Sequence, residues 1–300
     1  MNVVPKIKLT SNGPEISKLI QGYWRLSEWG LSTQECLSFI KQNVELGITT
    51  ADHAHIYGTP SCEMLFGNAL KLDPGLRSSI EIVTKCGIKG EASGGVAHYD
   101  SSHQAIIHSV ESSLAHFGTE YLDILLIHRP DYLMNADEIA HVFSQLKREG
   151  KVNCLGVSNF TIEQFDLLQS RLDEPLATNQ IEINPVNCGV FDSGVLEKLQ
   201  RDRVTPMAWS CLAGGSMFNE RSQQVTRLMP VLEQVASEIG ASSIDQVIYV
   251  WVMTLPSSPV PILGSGNRQR IQAAVESLAL SMTREQWYRI FEAARGQRVA

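Results

Sequence analysis

The sequence predicts an α/β protein: a single domain over residues 1–300, folded as a closed (β/α)8 barrel. Three observations predict it. Short apolar strands alternate with helical periodicity along the chain. The strand-like runs are apolar on both faces, as in a parallel sheet covered by helices. The unit repeats about eight times in 300 residues, enough to close a sheet that takes about 250 residues.

The elements follow in order. Residues 6–9 and 16–20 flank Asn12-Gly13, a pair that favours the positive φ angles of a tight turn, so a hairpin opens the chain and is expected to cap the barrel bottom. Strands are expected at 19–22, 48–52, 80–85, 122–128, 152–158, 178–182, 205–209 and 259–263. Between them, helical periodicity covers 33–46, 61–70, 103–117, 136–149, 162–168 and 229–239. The apolar run 247–255 reads as a buried helix, a closing helix starts near Asn267, and 283–294 is terminal. The polar stretch 90–102 reads as a surface loop.

Composition narrows the function classes. A net charge of −7 argues against a general pull toward nucleic acid. The first residues, MNVVPKIKLT, lack the apolar core of a signal peptide. No apolar run reaches the roughly 20 residues of a bilayer span. The six cysteines are scattered without a CxxC pair, so reduced thiols in a cytoplasmic protein are expected. The expected assembly is a monomer or a small homo-oligomer acting on a small molecule, with no membrane or nucleic-acid partner.

Chemistry in such a barrel sits at the C-terminal strand ends. Asp52, Lys85, His128, Ser158-Asn159, Gln180, Glu182, Trp209-Ser210 and Gly264-Ser265 fall there, with Tyr57 just beyond Asp52. Four of them make a proton-transfer set. A tyrosine hydroxyl has a pKa near 10, and a nearby ammonium lowers it. A carboxylate keeps that ammonium charged, and an imidazole can polarise a carbonyl. Tyr57, Lys85, Asp52 and His128 fill those roles if the second, third and fourth strands meet.

Each residue alone has a plainer reading. Asp52 could cap a helix, Tyr57 and Trp209 could pack, and His128 could be a core histidine. Ser158-Asn159 could cap the next helix, Arg270 could be a surface charge, and Cys86 a buried, inert thiol.

The motifs carry a resemblance. TADHAHIYG (50–58), IVTK (82–85), YLDILLIHRPD (121–131), KREGK (147–151) with LGVSNF (155–160), and NQIEINP (179–185) resemble, in the same order, segments of the aldo-keto reductase family. The resemblance runs from the hairpin to about Ser277. It implies a TIM barrel that reduces aldehydes or ketones with NADPH. By that resemblance Tyr57 is the general acid, Lys85 and Asp52 tune it, and His128 orients the carbonyl. Ser158, Asn159 and Gln180 bond the nicotinamide carboxamide, and Trp209 stacks on its ring. Ser210, Leu212 and Gly214 lie along the pyrophosphate. Gly22, Tyr23, Gly264 and Asn267 join the cofactor contacts, and Ser265 and Arg270 hold the ribose phosphate. Trp24 faces the substrate, with Trp29 and Phe218 suggesting an apolar mouth formed by loops 24–29, 87–100 and 211–224. PILGSGNRQRI (261–271) departs from the better-known pattern: Gly264 stands where many relatives have lysine, and Ala273-Ala274 replace an acid–amide pair that grips adenine.

Three rival functions stay open. His53 and His55 form an HxH pair that could serve a metal hydrolase, although the fifth and eighth strands add no ligand and the sixth offers only Glu182. Lys85 could form a Schiff base, against which Asp52 should keep it protonated. A cofactor-sensing regulatory subunit could share the fold.

Overall fold

The computed structural model describes residues 3–91, 95–219 and 222–300. A hairpin of β1 (Lys6–Lys8) and β2 (Glu15–Ser17) comes first. Then follow β3 (Ile20–Gly22), α1 (Thr33–Glu45), β4 (Thr50–Asp52), α2 (Cys62–Leu70), β5 (Glu81–Cys86), β6 (Ile88–Lys89), β7 (His98–Tyr99), α3 (His103–Phe117), β8 (Leu122–Ile127), α4 (Ala136–Arg148), β9 (Val152–Ser158) and α5 (Ile162–Gln169). The chain continues with β10 (Asn179–Glu182), α6 (Val195–Asp202), β11 (Met207–Trp209), α7 (Ser216–Asn219), α8 (Gln223–Ile239), α9 (Ile244–Met253), β12 (Val260–Leu263), α10 (Arg268–Glu276) and α11 (Arg284–Arg295).

The sheet closes in the order β3-β4-β5-β8-β9-β10-β11-β12, and β12 pairs back onto β3 through Ile262 with Ile20. Every barrel pair is parallel, so all C-terminal strand ends share one mouth. Two apolar layers result from alternating side chains. Inside the barrel, Ile20, Val83, Ile124, Leu126, Met207 and Val260 pack with Leu9 and Ile16 of the hairpin. The hairpin therefore plugs the end opposite the mouth. The second layer lies between strands and helices, where Phe66, Phe117, Phe143, Phe165 and Trp251 are buried.

The predicted turn at Asn12-Gly13 needs correcting. Neither residue has positive φ. The turn closes from Gly13 N–H to Thr10 O at 3.1 Å, inside a longer connection between Lys8 and Glu15. Glycine serves close approach here, since a Cβ would meet Thr10 Oγ1 at 2.2 Å.

Other departures are local. α8 starts at Gln223, ahead of the expected 229, because Ser222 caps its first turn and the helix runs on through Pro230. α6 is a short, polar helix entered through Gly194 in the left-handed region, too brief for a clear period. β6 and β7 form an antiparallel ribbon within the stretch expected to be a loop, of which residues 92–94 lie outside the described residues. Residues 220–221 of the expected 211–224 loop also lie outside them. No helix among the described residues is long and apolar enough to cross a membrane.

Candidate active site

β4 delivers Asp52 at its last position, and the chain stays paired beyond it. His53 N–H donates to Val83 O at 2.8 Å and His55 N–H to Lys85 O at 3.0 Å. That anchors the loop carrying Tyr57, whose N–H closes a turn on Ala54 O at 2.9 Å. Lys85 comes from β5 and His128 from the position just after β8, with its N–H on Cys86 O at 2.9 Å.

The four converge as expected. Lys85 Nζ donates to both Asp52 oxygens at 2.8 Å, to His53 O at 2.7 Å and to Tyr57 Oη at 3.3 Å. The Tyr57 and His128 rings meet edge to face with centroids 5.7 Å apart. Asp52 is buried and Lys85 fully so, a location that lysine tolerates only with such partners.

Electrostatics assign protonation states. Burial pulls the Lys85 ammonium down, but Asp52 and Tyr57 more than restore it, so its pKa lies above the ordinary value. A protonated lysine is not a Schiff-base nucleophile. Burial raises the Tyr57 pKa, and Lys85 opposes this without reversing it; the phenol therefore keeps its proton. Burial, helped by Lys85 and Arg129, pushes His128 down to about 2. His128 is thus a neutral imidazole.

The carboxamide set is prewired. Ser158 Oγ donates to Gln180 O at 2.9 Å, Asn159 Nδ2 donates to Ser158 Oγ at 2.8 Å, and Trp209 Nε1 donates to Asn159 Oδ1 at 3.0 Å. Gln180 differs from expectation in one respect: its Nε2 donates to Asp52 Oδ1 at 2.7 Å. It therefore braces the Asp52 carboxylate, a link that sequence spacing cannot show across 128 residues.

After β11 the backbone bends sharply. Ser210, Ala213, Gly214 and Gly215 all have positive φ, between 50° and 93°. Two turns close inside it, Ala213 N–H to Ser210 O at 2.7 Å and Gly215 N–H to Leu212 O at 2.9 Å, and positive φ at the non-glycine Ser210 and Ala213 is backbone strain of the kind that gathers at functional sites. Leu212 lies within this run. At the next strand end, Ser265 Oγ accepts from Asn267 N–H at 3.1 Å, and Asn267 Oδ1 caps α10 by accepting from Gln269 and Arg270 N–H. Arg270 is exposed on the first turn of that helix, and Gly264 is exposed beside it with open space where a Cβ would stand. The Ser265 hydroxyl and the exposed Arg270 guanidinium remain as donors for an anionic group of a nucleotide.

Some expected contacts shift. Tyr23 points away from the mouth: its ring stacks on His53 at 4.8 Å and meets Phe66 edge-on, 2% exposed. Only its backbone can reach a cofactor. Gly22 packs against β12, where a Cβ would meet Ile262 Cγ2 at 2.9 Å. Asn267 spends its side-chain oxygen on the cap. Trp24 is 55% exposed, 6.4 Å from the Tyr57 ring.

The HxH pair does not act as one. His53 is enclosed by Tyr23, Phe66 and Phe117, whereas His55 faces Glu63 and His116. Among the described residues no three His, Cys, Asp or Glu side chains are set to hold a metal. Cys86 is buried, and burial pushes its thiol up to about 12, which makes it inert.

Sequence reading missed Arg25 and Arg129, and gave Trp29 only to the substrate mouth. Arg25 reaches Gly214 O at 3.4 Å. The Trp29 ring is so close to Gly266 that a Cβ there would lie 2.7 Å away. The first loop thus touches both segments expected to carry the phosphates. The signal for Arg129 was its place directly after His128.

Three comparisons bear on this site. The family model described as Aldo/keto reductase family matches residues 18–295. The chain is 52% identical to Oxidoreductase YdhF of Escherichia coli (strain K12), over 98% of this chain and 99% of that protein. It is 41% identical to a 6-dehydroglucose reductase of Agrobacterium fabrum, over 95% and 97% of the two chains. A solved thermostable aldo-keto reductase, Tm1743, superposes with a TM-score of 0.79 at 24% identity, covering 96% of this chain and 99% of that one; that likeness supports the fold.

Proposed function

The chain belongs to the aldo/keto reductase family, and from that premise we propose that it is a cytoplasmic, NADPH-dependent enzyme reducing aldehydes or ketones to alcohols, with Tyr57 as the general acid. We read residues 1–300 as one domain and the assembly as a monomer or small homo-oligomer. The observation that carries the reading is Lys85 Nζ joined at once to Asp52 and Tyr57 beside His128 at the barrel mouth.

When bound, NADPH supplies the hydride for the carbonyl carbon. The chain does the rest. His128, neutral at ordinary pH, offers an N–H to the carbonyl oxygen and fixes the reacting face. Tyr57 donates its hydroxyl proton to that oxygen, and hydride plus proton make the alcohol. The phenol is a poor acid while its anion is unsupported; Lys85, 3.3 Å away, supports that anion as it forms. Asp52 holds Lys85 charged and aimed, and Gln180 steadies Asp52. Ser158, Asn159 and Gln180 suit the carboxamide, Trp209 the nicotinamide ring, and Ser210, Leu212 and Gly214 the pyrophosphate. Ser265 and Arg270 suit the ribose 2′-phosphate, with Gly22, Tyr23, Gly264 and Asn267 contributing backbone groups. Trp24 borders the carbonyl compound.

NADPH oxidation over a panel of aldehydes, ketones and quinones tests the reading. General acid catalysis contributes about 10²–10⁴-fold, so Tyr57→Phe should lose at least about 10²-fold in turnover with NADPH affinity nearly intact. Turnover within about threefold of the parent would put the acid elsewhere.

A further inference from the structure

Arg129 shares the mouth with the reacting groups. Its guanidinium carbon lies 5.4 Å from the centre of the Trp209 ring. It is half-buried, and its charge is felt at both His128 and Tyr57, where it disfavours the extra proton. Among the described residues no carboxylate pairs with it and no acceptor takes its N–H groups. Arg77 shows the contrast: with its side chain 13% exposed, it is saturated by Asp123, Tyr121 O, Ile80 O and Thr119. A guanidinium has five donors in a rigid fork, and those of Arg129 open to the solvent of the mouth, where a ligand can take them. Stacking on Trp209 uses the face of the guanidinium and leaves its in-plane N–H groups for an acceptor. The fork waits for an acceptor.

The place of the residue limits what the acceptor is. Tyr57 and His128 flank the carbonyl oxygen, and Arg129 is joined to His128 through one peptide bond. Its charge acts on both of those side chains, so a group it bonds shares the mouth with the carbonyl. The net charge of −7 repels anions at a distance, so an anionic arm would need a cation of its own inside the site. We propose that Arg129 reads an acceptor oxygen on the carbon next to the carbonyl, and that the substrates are α-oxygenated carbonyl compounds, bearing a carboxylate or hydroxyls there. This rests on the reductase reading above and adds the substrate class to it.

Arg129→Met and Arg129→Lys are compared with the parent on glyoxylate, glyceraldehyde and propanal, which carry a carboxylate, a hydroxyl and no oxygen at that carbon. Charge-assisted hydrogen bonds make about a 10–100-fold difference. In Arg129→Met the kcat/KM ratio of glyoxylate to propanal should fall by that factor, mainly through KM. Arg129→Lys should recover part of it, because the charge returns without the fork. A matching fall for glyceraldehyde identifies hydroxyls as a second source of the acceptor; a fall for glyoxylate alone identifies the carboxylate. Glyoxylate binding to the NADP⁺-loaded protein, which cannot reduce it, is measured by calorimetry and should weaken by the same factor. Both ratios and the calorimetric affinity staying within about twofold of the parent would overturn the proposal. Lost glyoxylate binding in Arg129→Met, with no compound reduced by the parent, would instead overturn the reductase reading and leave Arg129 as an acceptor-binding residue.

Discussion

At Lys85 four contacts meet on one nitrogen: two from Asp52, one from His53 O and one from Tyr57 Oη. Removing the ammonium has separable consequences. It leaves Asp52 buried and short of its cation, which costs about 3–5 kcal/mol, although Gln180 still donates to it. It also removes the charge that opposes the burial-driven rise of the Tyr57 pKa. Lys85→Met should therefore slow reduction and move the limb set by Tyr57 ionisation to higher pH, read from the pH profile of kcat. Asp52→Asn added to Lys85→Met should recover much of the urea midpoint and none of the rate. An unchanged profile and rate would remove Lys85 from the mechanism. These residues were legible in the sequence because each sits at or just beyond a strand end. Tyr23 was not: it follows β3 directly, yet its ring turns into the helical shell, and only packing against His53 and Phe66 decides that.

The pairing of α2 with α3 holds the ground behind the tyrosine loop, since α2 begins right after it. At Gly67 the two helices touch backbone to backbone: a Cβ would lie 2.0 Å from His116 O and 2.7 Å from Phe117 Cα. Neither atom can rotate away. Alanine is ordinarily better than glycine in a helix by about 1 kcal/mol, but here overpacking costs about 1–3 kcal/mol and wins. Gly67→Ala should lower the urea midpoint with the m-value unchanged; a midpoint at or above the parent's would show that the helices can part freely. Element positions were mostly readable, and β9 and α3 match their expected limits. Ends set by capping were readable where Ser or Thr stood ready, as at Ser102 and Thr283. The start of α8 was hidden because Pro230 reads as a breaker, while its place in the middle of the helix rests on apolar packing of Val225, Leu228 and Leu232.

For the whole molecule, pH and cofactor act through linkage. His53 is fully buried with both ring nitrogens unpartnered, and burial followed by Lys85 holds its pKa well below the ordinary value. The unfolded chain takes a proton near pH 6.5 that the folded one refuses, so this stability is present above 6.5 and is lost as pH falls below it. The loss is about 1.4 kcal/mol per pH unit. His128, held down in the same way, adds its own share, so urea unfolding of the parent should weaken between pH 6.5 and 5 and His53→Phe should reduce the slope by about 1.4 kcal/mol per pH unit; an equal slope in both would assign the acid sensitivity elsewhere. Bound nucleotide raises stability in proportion to its affinity. Arg270→Ala should weaken NADPH by about 2 kcal/mol and leave NADH almost unaffected, seen as a smaller NADPH-induced rise in Tm and in fluorescence titration. Equal losses for both nucleotides would give Arg270 to the fold. The preference is expected to be moderate, since Gly264 supplies no cation. By itself the sequence determined the barrel, the hairpin plug and the four side chains that meet at its mouth, because strand periodicity and position at a strand end are local properties of the chain. Only the tertiary structure decided that Gln180 braces Asp52, that His53 and His55 part company, and that Arg129 lies over Trp209 with no partner among the described residues. Each of those depends on which strands closure makes neighbours and which way a side chain turns once packed, and neither is written in any one stretch of sequence.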